Sequence, residues 1–467
     1  TGKYWLAFCH FQNMAGREFN AVSYIMSADQ VTGPWTKPAY LTSIGFDPSL
    51  FHDEDGKHYA AVLEWETREG YQAPGHIVIA EVDLPSGRVH EWHRVTTGFT
   101  TRGCVEAPQI YQHGGYYYLL LASGGTGYAH GVEIGRSKEI FGPYEPNPTG
   151  EPIITSSPHH LFSLGDPDAG HFEMYNPHSK LQKSGHGSLV ETPDGRWYMA
   201  HLTSRPLPGQ KLNPLGRETA LQEMRWTQEG WLELADGSNL AKETVTVPGT
   251  VKQDRQAVDV EDHFAADHYD HRFMTPYHGQ SSDWVTVQDG HLLISGRNSL
   301  FSQVAPSIMG TRATSLHYDL QTKVTFHPDH YSETAGVGLY YDANNWFYVR
   351  LVQADNERET VLRVLQAKQG QRIDDYLDEV PVPDESVEVR LRYDEGQVVV
   401  AYRFTSQDEW QQLGGRYDLA YLSDEGVNGE PGEIGGFTGL FNFIGAVDAY
   451  QHQSVGKFAY YSVHNRD

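Results

Sequence analysis

Short runs rich in valine, isoleucine and aromatic residues follow one another along the whole chain, separated by clusters of glycine, proline, aspartate and asparagine. Such runs between turn-forming residues predict β-strands. No long segment shows the 3.6-residue period of an amphipathic helix. The pattern of hydrophobic and polar positions therefore predicts an all-β protein.

The first half of the chain contains an internal repeat. When three segments are aligned on Asp47, Glu106 and His186, each has a glycine nine residues later and a tyrosine twelve residues later. Each unit is predicted to form a strand, a tight hairpin and a second, aromatic strand, and repeated hairpins of this size predict a β-propeller. Since equivalent strands of a propeller face one central channel, we expect the three aligned side chains to converge there.

The beginning of the chain fits the same repeat. Gly2 matches the repeat glycine and Trp5 matches the repeat tyrosine, so the position equivalent to Asp47 would precede residue 1. The sequence is therefore expected to start inside a blade, with an earlier blade absent.

The second half has a different pattern. Strands with clean two-residue alternation occur, for example at Tyr318, Leu320 and Val324, and such strands are typical of sandwiches with one buried and one solvated face on each sheet. We predict a catalytic propeller over residues 1–245, a polar linker over 246–258, and a β-sandwich of jelly-roll type over 259–467.

The charge of the chain narrows the choice of partner. There are 61 acidic and 35 basic residues, a formal net charge of -26. Such a surface repels phosphate backbones, so nucleic acid is not expected as a partner, whereas an uncharged sugar meets no repulsion. Aromatic residues make up 12% of the chain, which suits stacking on sugar rings and equally suits an ordinary all-β fold.

Membrane insertion and a disulfide framework are not expected. No apolar run approaches the roughly 20 residues of a membrane-spanning helix, and no signal peptide is visible. Cys9 and Cys104 are the two cysteines, and they are expected to be buried thiols. These features favour a cytoplasmic location, but the sequence begins without methionine, so the location is left open.

Two carboxyl groups at one site are the minimum for glycoside hydrolysis. One must be protonated and donate to the leaving oxygen, and the other must be ionised and activate water or attack directly. Asp47 and Glu106 are the available pair. Glu106 lies between Val105 and Ala107, and poor solvation together with a nearby carboxylate raises the pKa of such a group, which suits the acid. Either residue could instead be a structural carboxylate that ties loops together.

Two further residues allow more than one interpretation. His186 is flanked by Gly185 and Gly187, which let the backbone approach a neighbour closely; it is either a hydrogen-bonding histidine of the channel or part of a metal site. Arg217 follows Gly216 and either binds substrate hydroxyls and orients a carboxylate or forms a surface ion pair.

In its motifs the chain resembles the β-xylosidases of glycoside hydrolase family 43 that carry a C-terminal sandwich domain. The resemblance extends, in order, over nearly the whole sequence. The motifs that carry it are Gly45-Phe46-Asp47-Pro48-Ser49-Leu50-Phe51-His52-Asp53, Glu106-Ala107-Pro108, Gly124-Gly125-Thr126, Gly185-His186-Gly187-Ser188, His201-Leu202-Thr203-Ser204-Arg205-Pro206, Pro214-Leu215-Gly216-Arg217-Glu218-Thr219-Ala220 and Gly436-Phe437-Thr438-Gly439.

The resemblance implies a five-bladed propeller followed by a β-sandwich. It also implies an inverting exo-hydrolase that releases terminal xylose from β-1,4-xylo-oligosaccharides, with α-L-arabinofuranose as a further substrate. By this resemblance Glu106 is the general acid, Asp47 tunes the pKa of the acid and orients it, and His186 contacts a divalent cation such as calcium in the channel. The substrate-binding positions of the family match Trp65, Thr126, Arg217 and Phe437.

The sequence also departs from the family pattern. The general base of the family is an aspartate of the first blade, and we expect it to lie outside this chain, with the first blade and part of the second missing. Gln109 stands where close relatives carry histidine, and Gly436 stands where they carry a second phenylalanine.

Several alternatives therefore remain open: a catalytically inactive sugar-binding protein of the same fold, an arabinan-directed hydrolase, and a retaining five-bladed hydrolase. The expected partner is a small oligosaccharide. A homo-oligomer is left open, with the sandwich as a candidate dimer face.

Overall fold

The structure is a computed structural model. It describes residues 2–13, 18, 20–71, 75–157, 174–250, 258–356, 359–427, 436 and 438–466. Within these ranges nearly all regular structure is β-strand, which confirms the all-β prediction. The helical content there includes a single turn of 3₁₀ helix at Pro383–Glu385, and none of the helices in the described part is long and apolar enough to span a membrane.

The chain divides into two compact units. The first unit comprises Thr1–Ser204 and Glu218–Pro248, and the second comprises Arg205–Arg217 and Gly249–Asp467. Residues 205–217 connect two strands of the first unit and yet belong to the second. This division is not visible in the strand pattern of the sequence.

Among its described residues the first unit contains four antiparallel sheets, each formed by consecutive strands. The first two sheets contain β1 (Tyr4–Asn13), β2 (Asn20–Ala28) and β3 (Ala39–Thr42), and then β4 (Gly45–His52), β5 (His58–Trp65), β6 (Gly75–Asp83), β7 (Arg88–Val89) and β8 (His93–Thr96). The third and fourth contain β9 (Glu106–His113), β10 (Tyr116–Ser123), β11 (Gly131–Ser137), β12 (Glu145–Pro146) and β13 (Ile154–Thr155), and then β14 (Gln182–Glu191), β15 (Trp197–Ser204), β16 (Glu218–Trp226) and β17 (Leu232–Leu234). This serial arrangement of sheets is propeller-like, as predicted.

The repeat found in the sequence corresponds to the hairpins that open the last three sheets. Gly56, Gly115 and Gly195 lie in these turns with φ of 86°, 78° and 79°, a conformation that costs glycine little and other residues more. The tyrosines of the repeat are at most 5% exposed and belong to the core: Tyr59, Tyr118 and Tyr198. Glycine therefore forms the turn and tyrosine anchors the second strand of each hairpin.

In the part of the second unit that the structure describes, two antiparallel sheets form a sandwich. One sheet has eight strands: β18 (Val260–Asp262), β19 (Val285–Gln288), β20 (His291–Ser295), β22 (His317–Thr325), β27 (Ser386–Asp394), β28 (Gln397–Arg403), β29 (Gln411–Asp418) and β31 (Val455–Asn465). The other has six: β21 (Ser307–Arg312), β23 (Glu333–Asp342), β24 (Asn345–Gln353), β25 (Thr360–Lys368), β26 (Gln371–Pro381) and β30 (Phe441–Asp448). Side chains of both sheets share a large hydrophobic core, which includes Tyr318 and Leu320 of β22 and Val337 of β23. The alternation read from the sequence thus marks the buried faces.

Candidate active site

Three strands of the first unit carry the aligned residues, and each of these strands is bulged. On β4, Phe46 pairs with Leu63 and Ser49 pairs with Ala61, so β4 has one residue more than β5 over this stretch. The same excess occurs on β14 between Gly185 and Ser188, and on β9 between Glu106 and Gln109. Bulges bend a strand locally and re-aim its side chains. The same irregularity therefore occurs at the equivalent position of all three strands.

The backbone at these bulges is left-handed. Asp47 has φ of 55° and His186 has φ of 50°, whereas on β9 the left-handed residue is Ala107, with φ of 51°. Positive φ is uncommon outside glycine, although aspartate, asparagine and histidine adopt it more readily than other residues. Backbone strain of this kind persists where the surrounding structure over-determines it, which is frequent at functional sites.

The bulges bring the three side chains together. One oxygen of Asp47, one oxygen of Glu106 and one ring nitrogen of His186 all lie within 4.8 Å of one another, and the three residues are half-buried. The structure thus places the aligned residues in one cluster. We call Asp47, Glu106 and His186 the channel triad.

Hydrogen bonds between strands hold the two carboxylates side by side. The backbone N–H of Ala107 donates to Oδ2 of Asp47 at 3.1 Å. The hydroxyl of Ser49 donates to the carbonyl oxygen of Pro108 at 2.5 Å. These bonds join β4 to β9 at Asp47 and again two residues further along β4, so they hold Asp47 beside the strand that carries Glu106.

Gln109 connects β9 to β14. Its amide donates to Oγ of Ser188 at 2.8 Å, and its Oε1 accepts from the hydroxyl of Tyr111 at 2.5 Å. The same hydroxyl accepts from the backbone N–H of Leu189 at 2.8 Å. The residue that departs from the family pattern therefore links the strand of Glu106 to the strand of His186.

A buried histidine supports the bulge of His186. The ring of His130 is fully buried, and its Nδ1 donates to the carbonyl oxygen of Lys183 at 3.0 Å. The ring also packs directly on Gly185, where a Cβ atom would lie 2.5 Å from the nearest ring carbon. Sequence analysis did not single out His130. The glycine before His186 was a signal of close approach, but it did not say which residue approaches.

Aromatic rings form a row beside Asp47. Trp65 lies at the end of β5, half-buried, and its ring centroid is 5.8 Å from that of Phe46. The ring centroid of Phe46 in turn is 5.6 Å from that of Phe11, which lies near the end of β1. The predicted sugar-binding residue Trp65 is therefore connected to the triad through Phe46, the neighbour of Asp47 in sequence. Phe11 was not predicted.

The loop of Thr126 lies near the strand end that carries Glu106. Ala122 pairs with Glu106 across the sheet, and the turn that follows it contains Gly124, Gly125 and the half-buried Thr126. The N–H of Gly124 donates to the carbonyl oxygen of Gly103 at 2.7 Å. This turn is therefore held close to the segment that leads into Glu106.

Each carboxylate has a cysteine nearby. The pKa of the Cys104 thiol is raised to about 11, mainly by burial and in part by the nearby Glu106 carboxylate. Burial also raises the pKa of Cys9, with a contribution from Asp47. Both cysteines are free thiols, as predicted, but each is half-buried rather than buried.

Two predicted substrate-binding residues lie outside the first unit. Arg217 is half-buried and belongs to the second unit, directly before β16. Phe437 lies outside the described residues. Gly436, the position before it, packs against Tyr341, since a Cβ atom there would lie 2.0 Å from the tyrosine hydroxyl. Tyr341 therefore occupies the space that a second phenylalanine would need.

The geometry limits what the two carboxyl groups can do together. An inverting pair is separated by about 6.5–9.5 Å so that water fits between base and sugar, and a retaining pair by about 5–5.5 Å. The oxygens of Asp47 and Glu106 lie within 4.8 Å. Asp47 is thus too close to Glu106 to be the base of an inverting mechanism, and its hydrogen bond from Ala107 suits an orienting role.

Comparison with known proteins assigns both halves of the chain. The profile of glycosyl hydrolases family 43 matches residues 1–232, and that of the β-xylosidase C-terminal Concanavalin A-like domain matches residues 261–464. Xylosidase/arabinosidase 43B of Humicola insolens is 32% identical over 98% of this chain and 82% of its own length. Xylan 1,3-β-xylosidase of a Vibrio species is 31% identical over 98% of this chain and 84% of its own length.

A solved structure agrees with these matches. The crystal structure of xylan β-1,4-xylosidase from Bacillus halodurans C-125 superimposes with a TM-score of 0.90 at 32% identity, covering 100% of this chain and 85% of that one. Sequence, domain order and fold all lead to the same assignment, and the chain therefore belongs to glycoside hydrolase family 43, in which its sandwich is the β-xylosidase type of C-terminal domain.

Proposed function

We propose that the chain is an exo-acting, inverting glycoside hydrolase that releases terminal xylose from β-1,4-xylo-oligosaccharides, with α-L-arabinofuranose as a second leaving sugar. The channel triad carries this proposal, because it groups two carboxyl groups and an imidazole at one place. The relatives support the choice of sugar: their names are xylosidase/arabinosidase, xylan 1,3-β-xylosidase and xylan β-1,4-xylosidase.

In the proposed mechanism Glu106 donates its proton to the glycosidic oxygen as the bond breaks. A carboxylate within 4.8 Å favours the protonated form of its neighbour because two negative charges repel each other. Asp47 is fixed by the Ala107 N–H and the bulge of β4, so it is the ionised partner that keeps Glu106 protonated and oriented. Trp65 and Phe46 supply the aromatic wall against which a pyranose ring stacks.

Water activation needs a third group. Because Asp47 lies too close to Glu106 for a water between them, the base of an inverting reaction is a different residue. General base catalysis contributes about 10²–10⁴ in rate, so turnover by this chain depends on where that residue comes from.

A divalent cation is part of the proposal through His186. A hard cation such as calcium takes six to eight oxygen ligands, so in this channel it would be held largely by its own water, with His186 as the residue that contacts that water and Glu106 left to act as the acid. With that shell the residues fit a hydrated cation. When bound, the cation supplies positive charge that stabilises the negative charges of the channel.

Xylobiose hydrolysis tests the proposal. We expect Glu106→Gln to abolish xylose release while thermal unfolding stays unchanged, and Glu191→Gln, the same substitution at an exposed position of β14, to leave hydrolysis intact. Calcium and a chelator are compared in parallel. Equal hydrolysis by the Glu106→Gln variant contradicts the assignment of the acid.

The absence of turnover, together with xylobiose binding by a folded chain, supports the alternative of an inactive sugar-binding protein. Where the chain does turn over substrate, relative rates on aryl β-xylopyranoside and aryl α-L-arabinofuranoside distinguish a xylosidase from an arabinan-directed enzyme.

One observation favours a second mechanism. The carboxylate oxygens of Asp47 and Glu106 lie within 4.8 Å of each other, nearer to the separation of a retaining pair, about 5–5.5 Å, than to that of an inverting pair; in a retaining mechanism Asp47 would attack the sugar. Nuclear magnetic resonance of the first-formed product separates the two: the inverted anomer supports the proposal, and the retained anomer makes Asp47 the nucleophile.

A further inference from the structure

A cavity of about 570 Å³ lies on the six-stranded sheet of the second unit. Along β24 the side chains of Trp346, Tyr348 and Arg350 line this cavity, whereas the alternate residues Phe347 and Val349 belong to the hydrophobic core of the sandwich. The cavity is therefore on the outer face of the sheet, and the residues that line it all belong to the second unit. Its volume is within the range of about 300–1,000 Å³ that is usual for small-molecule sites.

The floor of the cavity is aromatic. Trp346 and Tyr348 are at most 2% exposed, so packing holds both rings in place. The hydroxyl of Tyr348 donates to the carbonyl oxygen of Gly445 on β30 at 3.1 Å. It reaches across β23, which has Gly336 and Gly338 on this face of the sheet. The floor is thus fixed by packing and by a hydrogen bond before any ligand binds.

One wall of the cavity presents an exposed aromatic ring. Tyr331 lines the cavity and is 66% exposed. Its ring centroid lies 4.0 Å from that of His330, and the ring of His330 stacks on Tyr450 at 4.3 Å with 12° between the planes. The ring of Tyr331 is therefore held by its neighbours while most of its surface stays open to a ligand. Aromatic rings in this setting pack against the C–H groups of a pyranose.

The charged residues of the lining are mostly arginines. Arg350, Arg363 and Arg372 line the cavity, and Asp355 is the one acidic residue among the described residues that do so. The chain as a whole has the opposite balance, with 61 acidic and 35 basic residues. The cavity is therefore suited to an anion, a ligand that the rest of the surface disfavours.

Two of these arginines lie side by side. Arg350 of β24 is directly opposite Arg363 of β25, and like charges at such positions repel each other. Arg363 is 4% exposed, and Asp355 and Glu379 lie 3.1 Å and 2.5 Å from its guanidinium. Arg350 is half-buried. A carboxylate in the cavity would meet its guanidinium, whose planar fork matches two carboxylate oxygens, and would offset the repulsion between the two arginines.

Uncharged polar residues complete the lining. They include Ser299, Ser332 and Gln353. Hydroxyl and amide side chains both donate and accept hydrogen bonds, as the hydroxyl groups of a sugar do. The cavity thus offers a partner for each part of an acidic sugar: the carboxylate, the ring and the hydroxyl groups.

We propose that this cavity is a second carbohydrate site, which binds a sugar acid: a hexuronate or an oligosaccharide that carries one. The carboxylate lies against Arg350 and Arg372, the pyranose ring packs against Tyr331, and Gln353 bonds to the hydroxyl groups. The site shares no residue with the channel triad, so the inference does not rest on the proposed function.

Titration of the whole chain with glucuronate and with glucose, followed by ligand-observed nuclear magnetic resonance, tests the proposal. The two sugars have the same ring, and glucuronate has a carboxylate where glucose has a hydroxymethyl group. We expect saturable binding of glucuronate, with glucose at least about tenfold weaker. Arg350→Gln and Arg372→Gln should each weaken glucuronate binding by about tenfold, because hydrogen bonds between charged groups are the strong ones.

Arg390→Gln is the matched control. Arg390 is also a half-buried arginine of the second unit, but it lies on β27 in the other sheet, 4.6 Å from the ring centroid of Trp410. Its substitution should leave glucuronate binding unchanged. Thermal unfolding checks the fold of each variant, and since Arg372 is exposed, Arg372→Gln tests the proposal even if Arg350→Gln does not fold.

Several results would overturn the inference. No saturable binding of glucuronate overturns it, and equal binding of glucose shows that the carboxylate is not recognised. Acetate that binds as tightly as glucuronate makes the cavity a site for simple anions and not for a sugar. Glucuronate binding that Arg372→Gln leaves unchanged, or that Arg390→Gln weakens equally, shows that the sugar binds elsewhere.

Discussion

A methyl group added at Gly185 tests how the site is built. In the Gly185→Ala variant the new carbon would lie 2.5 Å, 2.6 Å and 2.6 Å from three atoms of the His130 ring. Non-bonded carbons prefer about 3.5–4.0 Å, so the overlap is about 1 Å. The ring cannot turn away freely, because it is fully buried and its Nδ1 bonds to Lys183 on the same strand as Gly185.

The expected cost follows from this overlap. Overpacking of a dense core costs about 1–3 kcal/mol. In a domain of about 150–250 residues each kcal/mol lowers the melting temperature by about 2–4 °C, so the transition of the first unit should fall by about 2–12 °C. His186 follows Gly185 directly, so xylobiose affinity should fall as well.

Differential scanning calorimetry measures the effect. Gly415→Ala is the control, because no atom lies within 4 Å of a Cβ atom there. The His130→Ala background removes the ring, and Gly185→Ala should then cost much less. A melting temperature within 1 °C of wild type, or the same decrease in both backgrounds, refutes the reasoning that the glycine is needed for the histidine.

Two further predictions concern titrating groups. At pH 8 a thiol with a pKa of about 11 is about 0.1% thiolate. The Glu106 carboxylate contributes to the raised pKa of Cys104, so Glu106→Gln should lower that pKa and speed alkylation of Cys104 by iodoacetamide. Peptide mass spectrometry measures the rate, and an unchanged rate contradicts the proximity of the two groups. Burial lowers the pKa of His201 in the folded chain. The neutral form of His201 therefore contributes stability at pH values above the unfolded pKa of about 6.5, and this stability is lost as the pH falls through the folded pKa. Urea unfolding from pH 7.5 to 5.5 should therefore show a smaller loss in the His201→Asn variant than in wild type.

Much of the architecture could be predicted from the sequence. Strand periodicity and turn glycines are local properties, so the all-β class, the three hairpins and the buried faces of the sandwich were visible in the pattern. The repeat also aligned Asp47, Glu106 and His186. Residues at equivalent places in repeated hairpins meet in space, so this alignment predicted that the three side chains lie together. That alignment found the channel triad without any knowledge of the strand registers.

The details of the triad depend on tertiary structure. The bulge of β9 has its left-handed residue at Ala107, one position later than the other two strands, and no feature of the repeat indicates this shift. His130 lies under Gly185 because β11 and β14 belong to neighbouring sheets that pack together, a relation between residues far apart in sequence.

The sequence by itself determined which segments become strands, where they turn and which three residues share an equivalent place. Only the tertiary structure decided that residues 205–217 join the second unit, that Asn213 meets Asp424, and that Tyr341 occupies the space beside Gly436. The physical reason is range: alternation and turn formation act over a few neighbouring residues, whereas buried hydrogen bonds and close packing join residues that only the completed fold brings together.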